Sequence, residues 1–142
     1  MAILNYTTKV DSSKTIVEIT KSLVDHGARK IVSDYDENGT PTSVTFLLPI
    51  NDNMVAYSLP ANYSGVLKAM QNNKKVANHL CNKEQAVRVS WRILKDWIEA
   101  QLAIVEADLA DMAEVFLPYA VTPSGNTLYQ EIKNNPKLLL IK

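Results

Sequence analysis

From residue 82 to residue 118 the chain runs NKEQAVRVSWRILKDWIEAQLAIVEADLADMAEVFLP, with no glycine and no proline before Pro118. No other feature restricts the fold as much, because Gly and Pro are the strongest local breakers of regular structure. Asn82 followed by Gln85 has the spacing of a capping box, and Pro118 is a stop signal, so the stretch predicts one long helix over residues 83–117, bent near residues 108–111. Steps of about 100° per residue put Val87, Trp91, Leu94, Ile98, Leu102, Val105, Leu109 and Met112 on one side. Val89, Ile93, Trp97, Ala100 and Ile104 carry the apolar surface beyond half the circumference. A helix lying on one sheet needs a stripe of only about 100°. The excess asks for further cover, by other helices or by a second copy, and homo-oligomerisation through residues 83–117 is the expectation.

Opposite the arc lies a narrow charged stripe of Arg88, Arg92, Lys95, Glu99 and Glu106. As a solvated face it offers Lys95–Glu99 and Arg92–Asp96 pairs at i,i+4, each a small stabilisation. As a site it begins with Arg88 and Arg92, like charges in the first turns of a helix, where the macrodipole favours anions over cations. A phosphate, a pyrophosphate or a partner's carboxylate would neutralise them, and guanidinium suits bidentate recognition of each. The candidate ligand-binding set is Arg88, Arg92 and Lys95 for an anion, Trp91, Tyr63 or Tyr119 for stacking on a base, and Gln101. Ser90, Gln101 and Asp108 fall near one line inside the apolar arc, where polar groups must be hydrogen-bonded. They either set the register of a helix pairing or line a pocket at a subunit boundary.

Before residue 82 the periodicity changes several times. ILNYTTKV, residues 3–10, reads as a first strand. In DSSKTIVEITKSLVDHG, Ile16, Ile19 and Leu23 recur at helical spacing between a cap at Asp11, Ser12 or Ser13 and a stop at Gly27. RKIVSDY, TPTSVTFLL and NMVAYSL alternate and are separated by DENG and PINDN, which reads as a three-stranded antiparallel meander. DYDENG, residues 34–39, matches the first half of a calcium loop, yet Thr45 stands where the closing bidentate Glu belongs and both flanks are strand-like. Asn38-Gly39 is therefore read as a hairpin turn. NYSGVLKAMQNN is a short helix capped by Asn62 or Ser64. The expectation is a single α+β domain over residues 1–142, with a four-stranded, mainly antiparallel sheet in the order β-α-β-β-β-α-α and a long C-terminal amphipathic helix.

A chain of 142 residues with 46% hydrophobic content can bury one core. Lys and Arg total 15, Asp and Glu total 15, and the net charge is +0, so nucleic acid is disfavoured as a partner and only the short stretches KNNPK and NNKK speak for it. The lone Cys81 excludes an intrachain disulfide and suits a reducing cytosol. No apolar run nears the roughly 18 residues of a membrane span, and the N-terminus lacks the pattern of a signal peptide. His26, and His79 beside Cys81, fall far short of a zinc site. The glycines form neither GxGxxG nor a P-loop, and no activated nucleophile is visible. These points lead to a cytoplasmic protein that is not an enzyme and uses no metal or cofactor.

NYTTKV at residues 5–10, DYDENG, LPAN at residues 59–62, RVSWRILKDWIEAQ at residues 88–101 and EVFLPY at residues 114–119 together resemble a largely uncharacterised group of short phage and prophage accessory proteins. RVSWRILKDWIEAQ is the specific part. The resemblance spans nearly the whole chain and implies a virus-encoded protein acting in the host bacterial cytosol, where small non-enzymatic phage proteins often counter host defence. Some do so as sponges that sequester a cyclic nucleotide or cyclic ADP-ribose signal, as the Thoeris anti-defence proteins do. Sponge binding residues do not map onto positions here, so this step is an analogy of function. Two expectations follow: a self-associating protein that buries a small phosphorylated ligand, or an inhibitor that docks on a host defence protein or nuclease.

Overall fold

Gly27 decides where the first helix ends. α1 (Ser12–Asp25) closes in a Schellman motif: Gly27 has φ +103°, its N–H reaches Val24 O at 3.1 Å, and the Ala28 N–H reaches Leu23 O at 3.0 Å. Glycine adopts this left-handed turn without steric cost. The chain then enters β1 (Lys30–Tyr35), β2 (Pro41–Ile50) and β3 (Asn53–Pro60), antiparallel in the order β1-β2-β3. This is the meander that the alternating residues predict, in a computed structural model that describes residues 1–140. At the β1–β2 hairpin, Asp36 Oδ1 accepts the N–H groups of Asn38 and Thr40, both at 2.9 Å, and Gly39 has φ +79°. Those bonds, Thr40's foremost, hold the Asp36 carboxyl below its ordinary range. DYDENG is thus the bend between two strands, with Asp34 bonded across to Ser43 Oγ at 2.7 Å.

Alternate strand residues face one side and are covered by helices. Val44, Phe46, Leu48, Tyr57 and Leu59 share a buried cluster with Ile19 and Leu23 of α1 and with Trp91, Leu94, Ile98 and Leu102 of α3 (Lys83–Glu106). At about 1.5–3 kcal/mol per large side chain fully buried, this cluster is the principal source of stability. α2 (Tyr63–Gln71), capped by Asn62 accepting the Gly65 N–H at 3.1 Å, closes a second cluster of Met70, Val76, Ala86 and Val89 on the flank of α3. The wide apolar arc of α3 is therefore met largely within the chain, by the sheet and α1 on one side and by α2 on the other. Among the described residues no helix is long and apolar enough to cross a membrane.

Among the described residues the sheet has three strands rather than four. Residues 3–10 form no strand: residues 4–7 turn, Asn5 has φ +64°, and the Thr8 N–H bonds Asn5 O at 2.9 Å. The alternation in this segment is that of a strap, with Ala2, Ile3 and Tyr6 packing on the second cluster. Gln85, expected to complete the capping box of Asn82, instead donates through Nε2 to Tyr6 O and Thr8 O, each at 2.9 Å, and Asn82 alone caps α3. The place beside β3 is taken by Ala120, bridged to Tyr57, and by the Val121 N–H on Ala56 O at 2.8 Å.

The long helix is also shorter than its composition suggests, since it breaks where a bend was expected. Asp108 has φ +58°, with its N–H on Val105 O at 3.0 Å and the Leu109 N–H on Ile104 O at 3.1 Å. This is a second Schellman turn built without glycine, which Asp tolerates better than most residues. Asp111 and Glu114 then form a capping box that starts α4 (Met112–Val115), and Thr127 with Gln130 does the same for α5 (Leu128–Asn134).

Candidate anion-binding site

An N-cap aspartate ordinarily turns its carboxylate onto the free N–H groups of its own helix. Asp11, the N-cap of α1, makes no such bond; its Oδ1 lies 3.5 Å from Arg88 Nε on α3 instead. Arg88 is held on its other side by Gln85, whose Oε1 accepts from Nη1 at 3.2 Å. Asp11, Ser12, Lys83, Glu84 and Arg88, with the hairpin-tip residues Gly39, Thr40 and Pro41, line a cavity of about 400 Å³. Lys83 reaches over the Tyr63 ring, 5.3 Å from its centroid. The first turn of α1 contains no acidic residue, so the positive end of its dipole is left to the cavity, beside two cations. Such a meeting of helix start, guanidinium and ammonium suits an oxyanion, provided that Asp11 gives way and that Glu84, an exposed acid on the same lining, turns its carboxylate to solvent.

The other cations of the stripe are already matched. Arg92 Nη1 donates to Glu18 Oε2 at 3.1 Å and to Thr15 Oγ1 at 3.4 Å, and Lys95 lies 3.5 Å from the same Glu18 oxygen while pairing with Glu99. Burial acts to raise the Glu18 carboxyl, but Arg92 and Lys95 together hold it below its ordinary value. The anion expected for Arg92 from sequence is thus a side chain of α1. The expected Arg92–Asp96 pair is absent from this arrangement, and Asp96 accepts from Asn5 Nδ2 at 2.8 Å. Trp91 is wholly buried and donates to Pro41 O at 3.2 Å, so it belongs to the core. Ser90 is buried with its hydroxyl on Val87 O at 2.9 Å, Gln101 is half-buried, and Asp108 lies beyond the end of α3.

Tyr119 stands apart from the Arg88 cavity. Its ring meets Trp97 edge-on at 5.5 Å, and it divides a cleft of about 650 Å³ lined by Ser58, Tyr129, Gln130 and Lys133 from an apolar one of about 320 Å³ lined by Val66, Ile93 and Trp97. No family model, curated protein or solved structure matches the chain. The assignment of a site therefore rests on geometry. Of the residues expected to hold an anion, Arg88 alone faces a cavity with a second cation and a helix start. Lys83, Ser12 and Asp11 complete that cavity and escape a reading by sequence, because the start of α1 and the start of α3 meet only in the folded chain. Tyr129 and Lys133 were within reach: the Thr127-x-x-Gln130 capping spacing announces the helix that carries both.

Proposed function

We propose that the protein binds, without chemistry, the anionic end of a small phosphorylated molecule in the cavity between the starts of α1 and α3. As a phage-encoded anti-defence protein it would thereby sequester a nucleotide-type immune signal such as a cyclic nucleotide or cyclic ADP-ribose. One observation carries the reading: the Asp11 carboxylate leaves its helix uncapped and lies against Arg88, as a stand-in for a better anion. A phosphate in its place would meet Arg88, Lys83 and the first-turn N–H groups together, whereas Asp11 and Arg88 at 3.5 Å, with the acid three-quarters exposed, make a weak pair. Tyr63 is not on the cavity lining; its ring lies beneath Lys83 and steadies that ammonium.

The test is capture from cells. Protein incubated with lysate of bacteria mounting a nucleotide-based immune response, washed and heat-denatured, should release a phosphorylated compound detectable by mass spectrometry. Arg88→Glu and Lys83→Glu should stay folded and release none. If nothing is released, while a host protein stays on the same column and is lost in the same variants, the small-ligand reading fails and inhibition by protein contact replaces it.

A further inference from the structure

One edge of the sheet is closed and the other is open. Along β3 the outer edge is occupied by the Val121 N–H on Ala56 O and the Ala120–Tyr57 bridge. Along β1 nothing among the described residues does the same. The backbone polarity of that edge follows from its neighbours. Ala61 N–H donates to Thr42 O, so the even residues of β2 turn toward β3; Leu47 O accepts from the Arg29 N–H, so the odd residues turn toward β1. Lys30, Val32 and Asp34 stand opposite Leu47, Thr45 and Ser43. They are therefore the bonded residues of β1, and Ile31 and Ser33 present their N–H and C=O groups outward.

Two further features lie along this edge. Lys30 and Asp34 are both exposed, on the outer face of the sheet, and are spaced evenly about Val32, itself 42% exposed. Above the edge runs α1. Its Thr15, Glu18 and His26 turn to α3, contacting Arg92 and Glu106, while Ile19 and Leu23 point into the core. Steps of about 100° then aim Val17 and Val24 away from α3, and they are 68% and 52% exposed. Trp97, on the other flank of α3, meets Tyr119 next to the residues that bridge β3, so the α1 flank is the β1 side. The free edge and the unpartnered valines thus share one side of the molecule.

We propose that this side is a two-fold interface on which a second copy of the chain pairs β1 with β1 antiparallel, centred on Val32. In that register Ile31 of each copy meets Ser33 of the other and each pair exchanges both backbone bonds. Lys30 falls opposite Asp34 of the second copy, on both sides of the axis, and Val32 falls opposite itself. The two α1 helices then bring Val17 and Val24 toward each other above the seam. The charges choose this occupant: an edge guarded against pairing carries charges that repel a copy of itself, whereas this one carries both signs, placed so that a two-fold axis matches them. A seam this short makes a weak dimer rather than an obligate one.

Sedimentation or light scattering from micromolar to millimolar concentration tests the proposal. The mass should rise from 15.8 kDa toward that of a dimer. Val24→Glu, Lys30→Glu and Asp34→Lys should each hold the chain monomeric and folded, since all three positions are exposed; the melting curves of Val24→Glu and Lys30→Glu should be unchanged, and that of Asp34→Lys slightly lowered by loss of the bond to Ser43 Oγ. The paired exchange Lys30→Glu with Asp34→Lys should restore the dimer. A chain that stays monomeric at millimolar concentration, a dimer indifferent to all three changes, or an exchange that fails to restore association each overturns the proposal.

Discussion

Tyr57 is fully buried, and its hydroxyl has no hydrogen-bond partner among the described residues. The ring has a clear purpose, stacking on Phe46 at 5.4 Å between their centroids. Burial first, and Asp111 second, push the phenol above its ordinary pKa, so it stays a neutral donor with nothing to receive its proton. An orphaned buried polar group costs about 1–3 kcal/mol, so Tyr57→Phe should raise stability by roughly 1 kcal/mol in denaturant unfolding. A loss of stability would reveal a partner for the hydroxyl. At Asp11 a single side chain bears on binding. Asn there keeps a side chain able to cap α1 and removes the carboxylate that competes for Arg88. Asp11→Asn should therefore tighten the affinity for pyrophosphate about threefold to tenfold, on the order of 1 kcal/mol, measurable by calorimetry. Weaker binding would mean that the Asp11 carboxylate orients Arg88 for its ligand rather than occupying the ligand's place.

Between elements, His26 joins the end of α1 to the end of α3. Its Nδ1 lies 2.7 Å from Ser22 O and its Nε2 lies 2.8 Å from Glu106 Oε1. Both neighbours only accept, so imidazolium satisfies both contacts, while the neutral ring donates to one and sets a lone pair against the other. The Ser22 carbonyl first, then Glu106 and more weakly Asp25, raise the pKa above 6.5 against the opposing effect of burial. A raised folded-state value means that this contribution is complete below the unfolded pKa and is lost as pH rises through the folded one. The melting temperature should therefore fall modestly as pH is raised from below 6.5 through the raised folded-state value, and His26→Asn should flatten that fall. An equal fall in the variant would assign it to other groups. The effect is modest because Glu106 is two-thirds exposed and well screened. Elements as such were largely legible: helical spacing at Ile16, Ile19 and Leu23, alternation through residues 40–48, and Asn38-Gly39 at a turn. The break after α3 was legible only as a bend, because Asp108 in a left-handed conformation leaves no mark as plain as glycine.

At the scale of the whole molecule, what sequence could not show is which groups meet across elements. The stripe on α3 suggested an external anion for both Arg88 and Arg92; the fold assigns Glu18 to Arg92 and leaves Arg88 with the looser Asp11. The strap of residues 3–10 failed as a strand for the same reason, since its partner is a side chain seventy-odd positions on. Gln85 gives a prediction in which local and tertiary rules conflict. It sits in the first turn of α3, where a carboxylate is favoured by the helix dipole, so local rules expect Gln85→Glu to stabilise. Oε1 would keep its contact with Arg88. Nε2, however, is the donor to both Tyr6 O and Thr8 O, and Gln85 is only 6% exposed; a carboxylate oxygen there would face two carbonyls with no proton to share. Leaving buried acceptors opposed costs about 1–3 kcal/mol, more than a first-turn charge returns. Gln85→Glu should therefore lower stability by that amount, release the N-terminal ten residues to proteolysis and speed their amide exchange, while the amides of β2 keep their protection. An unchanged denaturation midpoint with a protected N-terminus would mean that Ile3 and Tyr6 hold the strap by apolar contact alone.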